Sequence, residues 1–543
     1  MSKTILVIGS GISGLSTALH IAKAGGQVVL IAPEPSERAQ SVMAAGGVNA
    51  AGIGPDTQDS VTLHRDETLA GGCHIASQSA VEGLCQNAPD VVRELEAMGM
   101  VFSRDKQGNM MTRAFGGQSK KRTVFSGTST GKQIVSALNR QVRYYEVKGQ
   151  ITRRLHTFFV RGAIENGSIY GAFCFDTVEN EVLFVAGDAV VMACGGQNIL
   201  FGKTTGSLLC DGGAASALFQ QGVTLKNLEM IQYHPTTIET ANKRMLVSEA
   251  ARGEGGRLFY LKDGQRVYFM EDKFGPRGNL MPRDVVSREI YLTGQQVYLD
   301  ISFLGATLIH ERLAEVRELC MDYLKLDVTK EPIPVAPSVH FFMGGIAVDV
   351  NHATNISGLY AVGECASIYH GANRLGGNSL LAALYSGRVA ADHAMARPAL
   401  PAAQADWEAE AGALFAEIRS HQSDRSTFSP FYLLKEIERV MHQSLGIARC
   451  AQQLEAGIAE IDFYIGANPK IIYNTVISKY HTIMMEQYLV LAKAILRSAL
   501  ARRESRGAHY RTDFPETAPE FCAPSLAKFQ DGQIHICFET EAH

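Results

Sequence analysis

TILVIGSGISGLSTALHIAKAGGQVVLIA, running from Thr4 to Ala32, decides the fold. TILVIG is a short aliphatic run that reads as a buried strand. SGISGLSTALHIAKAGG reads as a helix entered through glycines, and QVVLIA as a second strand. The turn between them spells GSGISG. Gly9 permits the tight turn, Gly11 lets a pyrophosphate approach the backbone, and Gly14 lets helix and strand pack closely. The helix N-terminus then faces the anion. The stretch predicts a dinucleotide site on a parallel α/β sheet. One expected element is missing. The second strand ends LIAPEP, so the acidic residue that would take a ribose hydroxyl stands two places late, at Glu34.

Outward from this unit the texture stays glycine-rich and α/β-like to about residue 237, with DAVVMACGG (188–196) as a further buried strand. Residues 238–342 carry more charge, short strands at RLFYL and VYFM, and one helical stretch, IHERLAEVRELCMDYLK. The small-residue texture returns over 343–397 and stops at a linker, RPALPAAQ. Residues 398–505 are largely helix-periodic, and 506–543 form an irregular tail with a final strand at QIHICFE. The expected plan is a dinucleotide-binding domain split by an α+β insertion, then a helical domain, then a small C-terminal domain.

The balance of the 543 residues, 46% hydrophobic and 20% charged with net charge −4, is that of a globular chain without an electrostatic case for nucleic acid. The best apolar run, IMMEQYLVLAKAIL (483–496), is interrupted by Glu486, Gln487 and Lys493 and reads as an amphipathic helix, not a membrane span. MSKTILVIGSG enters a strand at once without an apolar leader, so a cytoplasmic chain is expected, with any membrane link made through a partner. No two of the ten cysteines form CxxC, which argues against a zinc ribbon, a c-type haem or a self-contained iron–sulfur cluster. Redox chemistry here needs an outside electron relay.

Several clusters bear chemistry. Glu364 in YAVGEC follows a strand and is placed to accept a ribose hydroxyl; Asp211 in DGGAAS precedes a helix. His234 lies in IQYHPT, Ser248, Glu249 and Arg252 in SEAARGEGG, and Arg283 in MPRD. His340 follows in HFFMGG, and His370, Asn373 and Arg374 in HGANRLGGNSL. Each alone has a plain structural reading, as a satisfied core histidine or a capped turn. Together they put histidines and arginines into apolar, glycine-rich loops. Arginine binds carboxylate bidentately and histidine adds a directional donor, so the set suits a dicarboxylate.

The order GSGISG, AAGG, FGGQSKKRT, ACGG, HPT, SEAARGEGG, PRD, HFFMGG, LYAVGEC, HGANRLGGNSL and ESRGAHYRTDFP resembles the flavoprotein subunit of the succinate dehydrogenase/fumarate reductase family, from Thr4 to Pro515. The resemblance implies FAD in a glutathione-reductase-like domain, with residues 238–342 as a capping domain over it. It assigns Gly9, Gly11, Gly14, Ser41, Gly46, Gly47, Asp211, Glu364, Asn378, Ser379 and Leu380 to the cofactor. It places His234, Ser248 and Glu249 toward one substrate carboxylate, His340 and Arg374 at the other, and Phe115 nearby. Arg283 becomes the proton donor, fed by Glu249 and Arg252. An iron–sulfur protein becomes the expected electron donor, and fumarate and succinate the substrates. Ser248 stands where the family usually has threonine.

Where membrane-linked members read RSHSVxAxGG, with a histidine bonded covalently to the flavin, this chain reads RAQSVMAAGG (Arg38–Gly47). A glutamine amide cannot form that bond. Noncovalent FAD and a fumarate-reducing direction are therefore expected. L-aspartate oxidase is the alternative, followed by a reductase of another unsaturated acid and a non-enzymatic flavin scaffold. Against the oxidase, MGGI and GANRLGGNSL are more similar to the dehydrogenase branch.

Overall fold

The computed structural model describes every residue except 1, 57, 128, 242, 400–402, 421–428, 468–475 and 540–543. Part of the expected linker RPALPAAQ thus lies outside the described residues. The opening stretch folds as read. Strand β1 (Thr4–Ile8), helix α1 (Ile12–Lys23) and strand β2 (Gln27–Ile31) form one unit, and β1 pairs with β2 in parallel register from Thr4↔Gln27 to Ile8↔Ile31. The strand Ala189–Met192 adds to the other side of β1, followed by Leu359–Ala361, while Ile151–Arg154 adds to β2. All five strands are parallel, and apart from the edge strand Ile151–Arg154 they are largely apolar, as a sheet covered on both faces requires. α1 packs against a long helix, Asn378–Ala396, so the two halves of the split domain share one core.

The glycines act sterically as predicted. A Cβ on Gly9, whose φ is +114°, would meet the Ala193 carbonyl oxygen at 2.3 Å, and one on Gly14 would meet the Gly9 oxygen at 1.8 Å. The turn therefore presses against the end of the neighbouring strand, and the helix presses against the turn.

The insertion is built on a six-stranded antiparallel sheet in which Ile231–Glu239 and Ile333–Phe342 are neighbours. These strands carry His234 and His340. The insertion has an apolar core of its own, around Ile238, Leu258, Val286, Leu299 and Val335. Two local readings need correction. VYFM is not a strand: the strand ends at Val267, and Phe269 opens the helix Phe269–Phe274. IHERLAEVRELCMDYLK is two helices, Ala306–Arg312 and Ala314–Leu324, broken at Leu313.

The following segment is helical, with Met485–Ala501 at its centre. That helix, read as amphipathic, keeps Glu486 exposed while most of its surface is covered. Tyr488, Leu491, Ala492, Ile495 and Leu496 are fully buried, and Lys493 pairs with Asp462 at 2.5 Å. No helix among the described residues is long and apolar enough to cross a membrane. The tail ends in the hairpin Ser525–Gln530 and Gln533–Phe538, which joins the sheet of Leu225–Lys226. The overall α/β class, a dinucleotide-binding domain with capping and helical parts, is as expected.

Candidate active site

One elongated cavity of about 330 Å³ runs from the β2 tip to the antiparallel sheet of the insertion. Gly9, Gly11, Ser41, Asp211, Glu364, Ser379 and Leu380 line it, with Glu34 near Pro35 at one end and His340 and Arg374 at the other. Gln40 lines it as well. Three groups make it a fit for an extended dinucleotide. Gly11 caps α1 without a side-chain oxygen, so the first-turn N–H groups beyond Ile12 are open to an anion. The Ser41 hydroxyl accepts the Ile12 N–H at 3.3 Å and fixes the facing loop. Glu364 is pushed up to about 7 by burial, against the Phe342 N–H and the Arg374 charge, which pull the other way.

Other predicted cofactor residues are placed differently. Gly14, Gly46, Gly47 and Asn378 do not line the cavity; Gly47 packs against the Val124 carbonyl, and Gly46 lies under the Phe115 ring. The Asp211 carboxylate is already engaged, accepting the Gly213 N–H at 2.9 Å and the hydroxyls of Tyr480 and Tyr488 at 2.7 and 2.9 Å. The Asn378 amide bonds only to protein groups.

At the far end of the cavity lies a buried polar cluster. Arg283, the first residue of the helix Arg283–Thr293, donates from Nε and Nη2 to Glu249 Oε2 at 2.9 and 2.6 Å. Glu249 Oε1 accepts the Gly116 N–H at 2.9 Å and lies 3.2 Å from Arg252 Nη2. Burial raises the Glu249 carboxyl, but the two guanidinium charges outweigh it and hold the group down at about 2. Arg252 is anchored by the Asn279 carbonyl at 2.7 Å.

Gln232, which sequence reasoning missed, joins this triad to Arg374. Its Oε1 accepts from Arg283 Nη1 at 3.0 Å and Arg374 Nη2 at 3.1 Å, while its Nε2 donates to Asn373 Oδ1 and the Arg374 carbonyl, each at 2.8 Å. Strand alternation offered a signal, since Gln232 stands two residues before His234.

His234 and His340 face each other from the two neighbouring strands, ring centroids 5.1 Å apart. Burial, then nearby arginine charge, lowers both well below the ordinary histidine range; for His340 the neighbouring His234 also contributes. Both are neutral. His234 Nδ1 lies 3.1 Å from the Thr236 carbonyl and 3.3 Å from the Thr236 N–H, and its Nε2 has no partner. His340 Nδ1 is 2.7 Å from the Thr205 hydroxyl. Arg374 lies over the Phe341 ring at 4.2 Å with its Nε unpartnered. Burial and the Arg283 charge push Arg374 down, so an anion beside it would be strongly favoured.

Ser248 Oγ accepts the Ala250 N–H at 3.3 Å at the start of the short helix Ala250–Gly253, which leaves its O–H to donate. Phe115 is buried between Gly46 and Gly376. His370 is buried against Phe341, and Asn373 holds Gln232. Among the described residues no group of His, Cys, Asp and Glu side chains is arranged to hold a metal.

Residues 4–380 match the family model described as FAD binding domain, and residues 434–541 match fumarate reductase flavoprotein C-term. The chain is 36% identical to the succinate dehydrogenase flavoprotein subunit of Bacillus subtilis, covering 97% of this chain and 94% of that one. It is 34% identical to the fumarate reductase flavoprotein subunit of Mycobacterium tuberculosis, covering 98% of this chain and 96% of that one. Among solved structures, Escherichia coli quinol fumarate reductase FrdA superposes with a TM-score of 0.91 at 30% identity, covering 99% of this chain and 96% of that one.

Proposed function

The chain belongs to the succinate dehydrogenase/fumarate reductase flavoprotein family of FAD-dependent oxidoreductases, and on that premise we propose that it reduces fumarate to succinate with noncovalently held FAD. The observation that carries the reading is the buried Glu249–Arg283–Gln232–Arg374 chain, with two neutral histidines facing it. FAD held along Gly9, Gly11, Ser41 and Glu364 would supply, when reduced, a hydride to one olefinic carbon. His340 and Arg374 hold one carboxylate, and the unpartnered Nε2 of His234 meets the other. These donors are oriented before charge develops on the second carbon, so they stabilise it without reorganising. Arg283 delivers the proton there, and Glu249 and Arg252 return one to it. Arginine is a weak acid, but a carbanion-like carbon is a far stronger base. The electrons come from a partner carrying iron–sulfur clusters, because this chain has no CxxC motif with which to build its own relay.

Anaerobic oxidation of a reduced viologen dye by the FAD-loaded chain tests the reading, with the dye replacing the partner. Fast turnover is expected with fumarate and none with L-aspartate as reductant of the flavin. FAD binding without fumarate turnover would overturn the proposal, and bleaching of the flavin by L-aspartate would move it to an oxidase.

Gln40 supports the noncovalent part of the proposal. Its Oε1 accepts the Ser207 N–H at 2.9 Å and the Asn198 Nδ2 at 3.3 Å. The amide thus ties the 40–43 turn to the 198–211 segment across the cavity that both line. Acid precipitation is expected to leave all flavin in the supernatant. Gln40→Ala loses two hydrogen bonds to neutral donors, each about 0.5–1.5 kcal/mol, so FAD should dissociate about 10-fold faster in dilution experiments. Flavin that stays with the precipitated protein would sink the noncovalent reading.

A further inference from the structure

The long helix Asn378–Ala396 begins at the cavity, where Ser379 and Leu380 line the wall next to Arg374. Its N-cap is Gly377, with φ +83° and no side-chain cap, so the first-turn N–H groups have no acceptor from the cap. The residues of this turn are instead gripped from behind by one region of chain. Asn49 donates from its backbone to the Gly377 carbonyl at 3.1 Å and from Nδ2 to the Gly376 carbonyl at 2.8 Å. Gln118 Nε2 reaches the same Gly376 carbonyl at 2.6 Å.

Asn378 is held hardest. Its Oδ1 accepts from Asn49 Nδ2 at 2.7 Å and faces His64 Nε2 at 2.9 Å, while its Nδ2 donates to Thr68 Oγ1 at 3.0 Å. His64 and Thr68 lie four residues apart on the helix Val61–Gly71, and the Thr68 hydroxyl also donates to the His64 carbonyl at 2.8 Å. Because Asn378 Oδ1 is an acceptor, His64 must carry its proton on Nε2. Its Nδ1 is then bare, and it has no partner although His64 is fully buried. Burial and the charge of Arg122 keep the imidazole neutral, with Arg122 itself paired to Asp59 and Glu67 at 2.8 and 2.6 Å.

With its pyrophosphate at the Gly9–Gly11 turn and the substrate at Arg374, FAD would set its flavin ring between them, beside this helix start. We propose that His64, acting through Asn378, is a positioning residue that fixes the positive end of the helix against the flavin ring and so raises its reduction potential. The reduced ring carries more negative charge than the oxidised one, and a helix N-terminus favours the more negative form. The inference rests on FAD occupying this cavity and is independent of which acid is reduced.

The test measures FAD affinity by fluorescence titration and the flavin midpoint potential by equilibration with redox dyes. His64→Leu removes the donor to Asn378. Its preference for reduced over oxidised FAD should fall about 10-fold, which lowers a two-electron potential by about 30 mV. His64→Gln keeps an N–H donor and should restore most of that loss. Thr68→Val removes the hydrogen bond on the other side of Asn378 with little change of volume, and should shift the potential the same way by a smaller step; it decides the matter should His64→Leu not fold. A wild-type potential in FAD-loaded His64→Leu, or in Thr68→Val where that variant must stand alone, would overturn the inference. A wild-type chain that binds no FAD would overturn the cofactor reading instead.

Discussion

Arg283→Ala is expected to lower fumarate-dependent viologen oxidation by about 10²–10⁴-fold, the span that a positioned proton donor contributes. FAD should remain bound, because Arg283 does not line the cavity. The fold should also survive. Glu249 keeps Arg252 at 3.2 Å and the Gly116 N–H at 2.9 Å, so its charge is not left alone. Substrate binding should suffer less than turnover, since removing Arg283 relieves the like charge that it places on Arg374. The loss therefore belongs in kcat more than in KM. Arg283→Lys is the sharper control. One ammonium cannot reproduce the fork that meets both Glu249 and Gln232, and a proton misplaced by about 1 Å costs about 10²-fold. Stopped-flow measurement of both variants checks this. Near-normal turnover in Arg283→Ala would put proton delivery on another group.

The sequence disclosed the parts of this molecule that local physics controls. The β1–α1–β2 unit follows from aliphatic runs and three glycines, and the structure shows why two of those glycines tolerate no side chain. The change of texture over residues 238–342 reflects a second core, built on antiparallel strands instead of a buried parallel sheet. VYFM misled because two aromatic residues favour a strand in isolation, whereas Phe269 and Met270 pack against the insertion's core as a helix turn. At the site, residue types were legible and roles only partly so. His234 and His340 could be named, but their meeting depends on the register of two strands distant in sequence. Asn49 and His64 were invisible for a related reason, and Gln232 offered only its place on the strand of His234. An amide or an imidazole carries no chemistry in a string until tertiary contacts show which buried group it satisfies.

The motif ESRGAHYRTDFP carries the same lesson to stability, and there the largest effect is expected. Its Glu504, Arg506 and Arg511 side chains are buried. Glu504 is fully buried and accepts from Arg502 Nη1 at 2.9 Å, Arg506 Nε and Nη2 at 2.7 and 2.9 Å, and the Ala518 N–H at 2.8 Å. Arg502 in turn reaches Glu229 at 2.7 Å and the Phe521 and Ala523 carbonyls at 2.7 and 2.8 Å, while Ser525 bonds Glu229 at 2.7 Å. The motif therefore clamps the C-terminal hairpin to the cofactor domain. Glu504→Ala leaves buried guanidinium groups short of a counter-charge, a defect that costs about 3–5 kcal/mol. Glu504→Gln should be nearly as harmful, because its amide NH₂ would face donors where the carboxylate had offered an acceptor. Urea melts at neutral pH measure the loss, and a variant within about 0.5 kcal/mol of wild type would refute the clamp. Acid supplies an independent check. Burial raises the Glu504 carboxyl, but the guanidinium and N–H partners outweigh it and leave the group below its ordinary value. A depressed carboxyl stabilises the fold above the unfolded pKa of about 4.3, and that contribution is lost as pH falls toward the folded value. Wild type should therefore lose stability steeply below about pH 4 and Glu504→Ala less steeply, since the variant has already lost the group whose protonation does the damage.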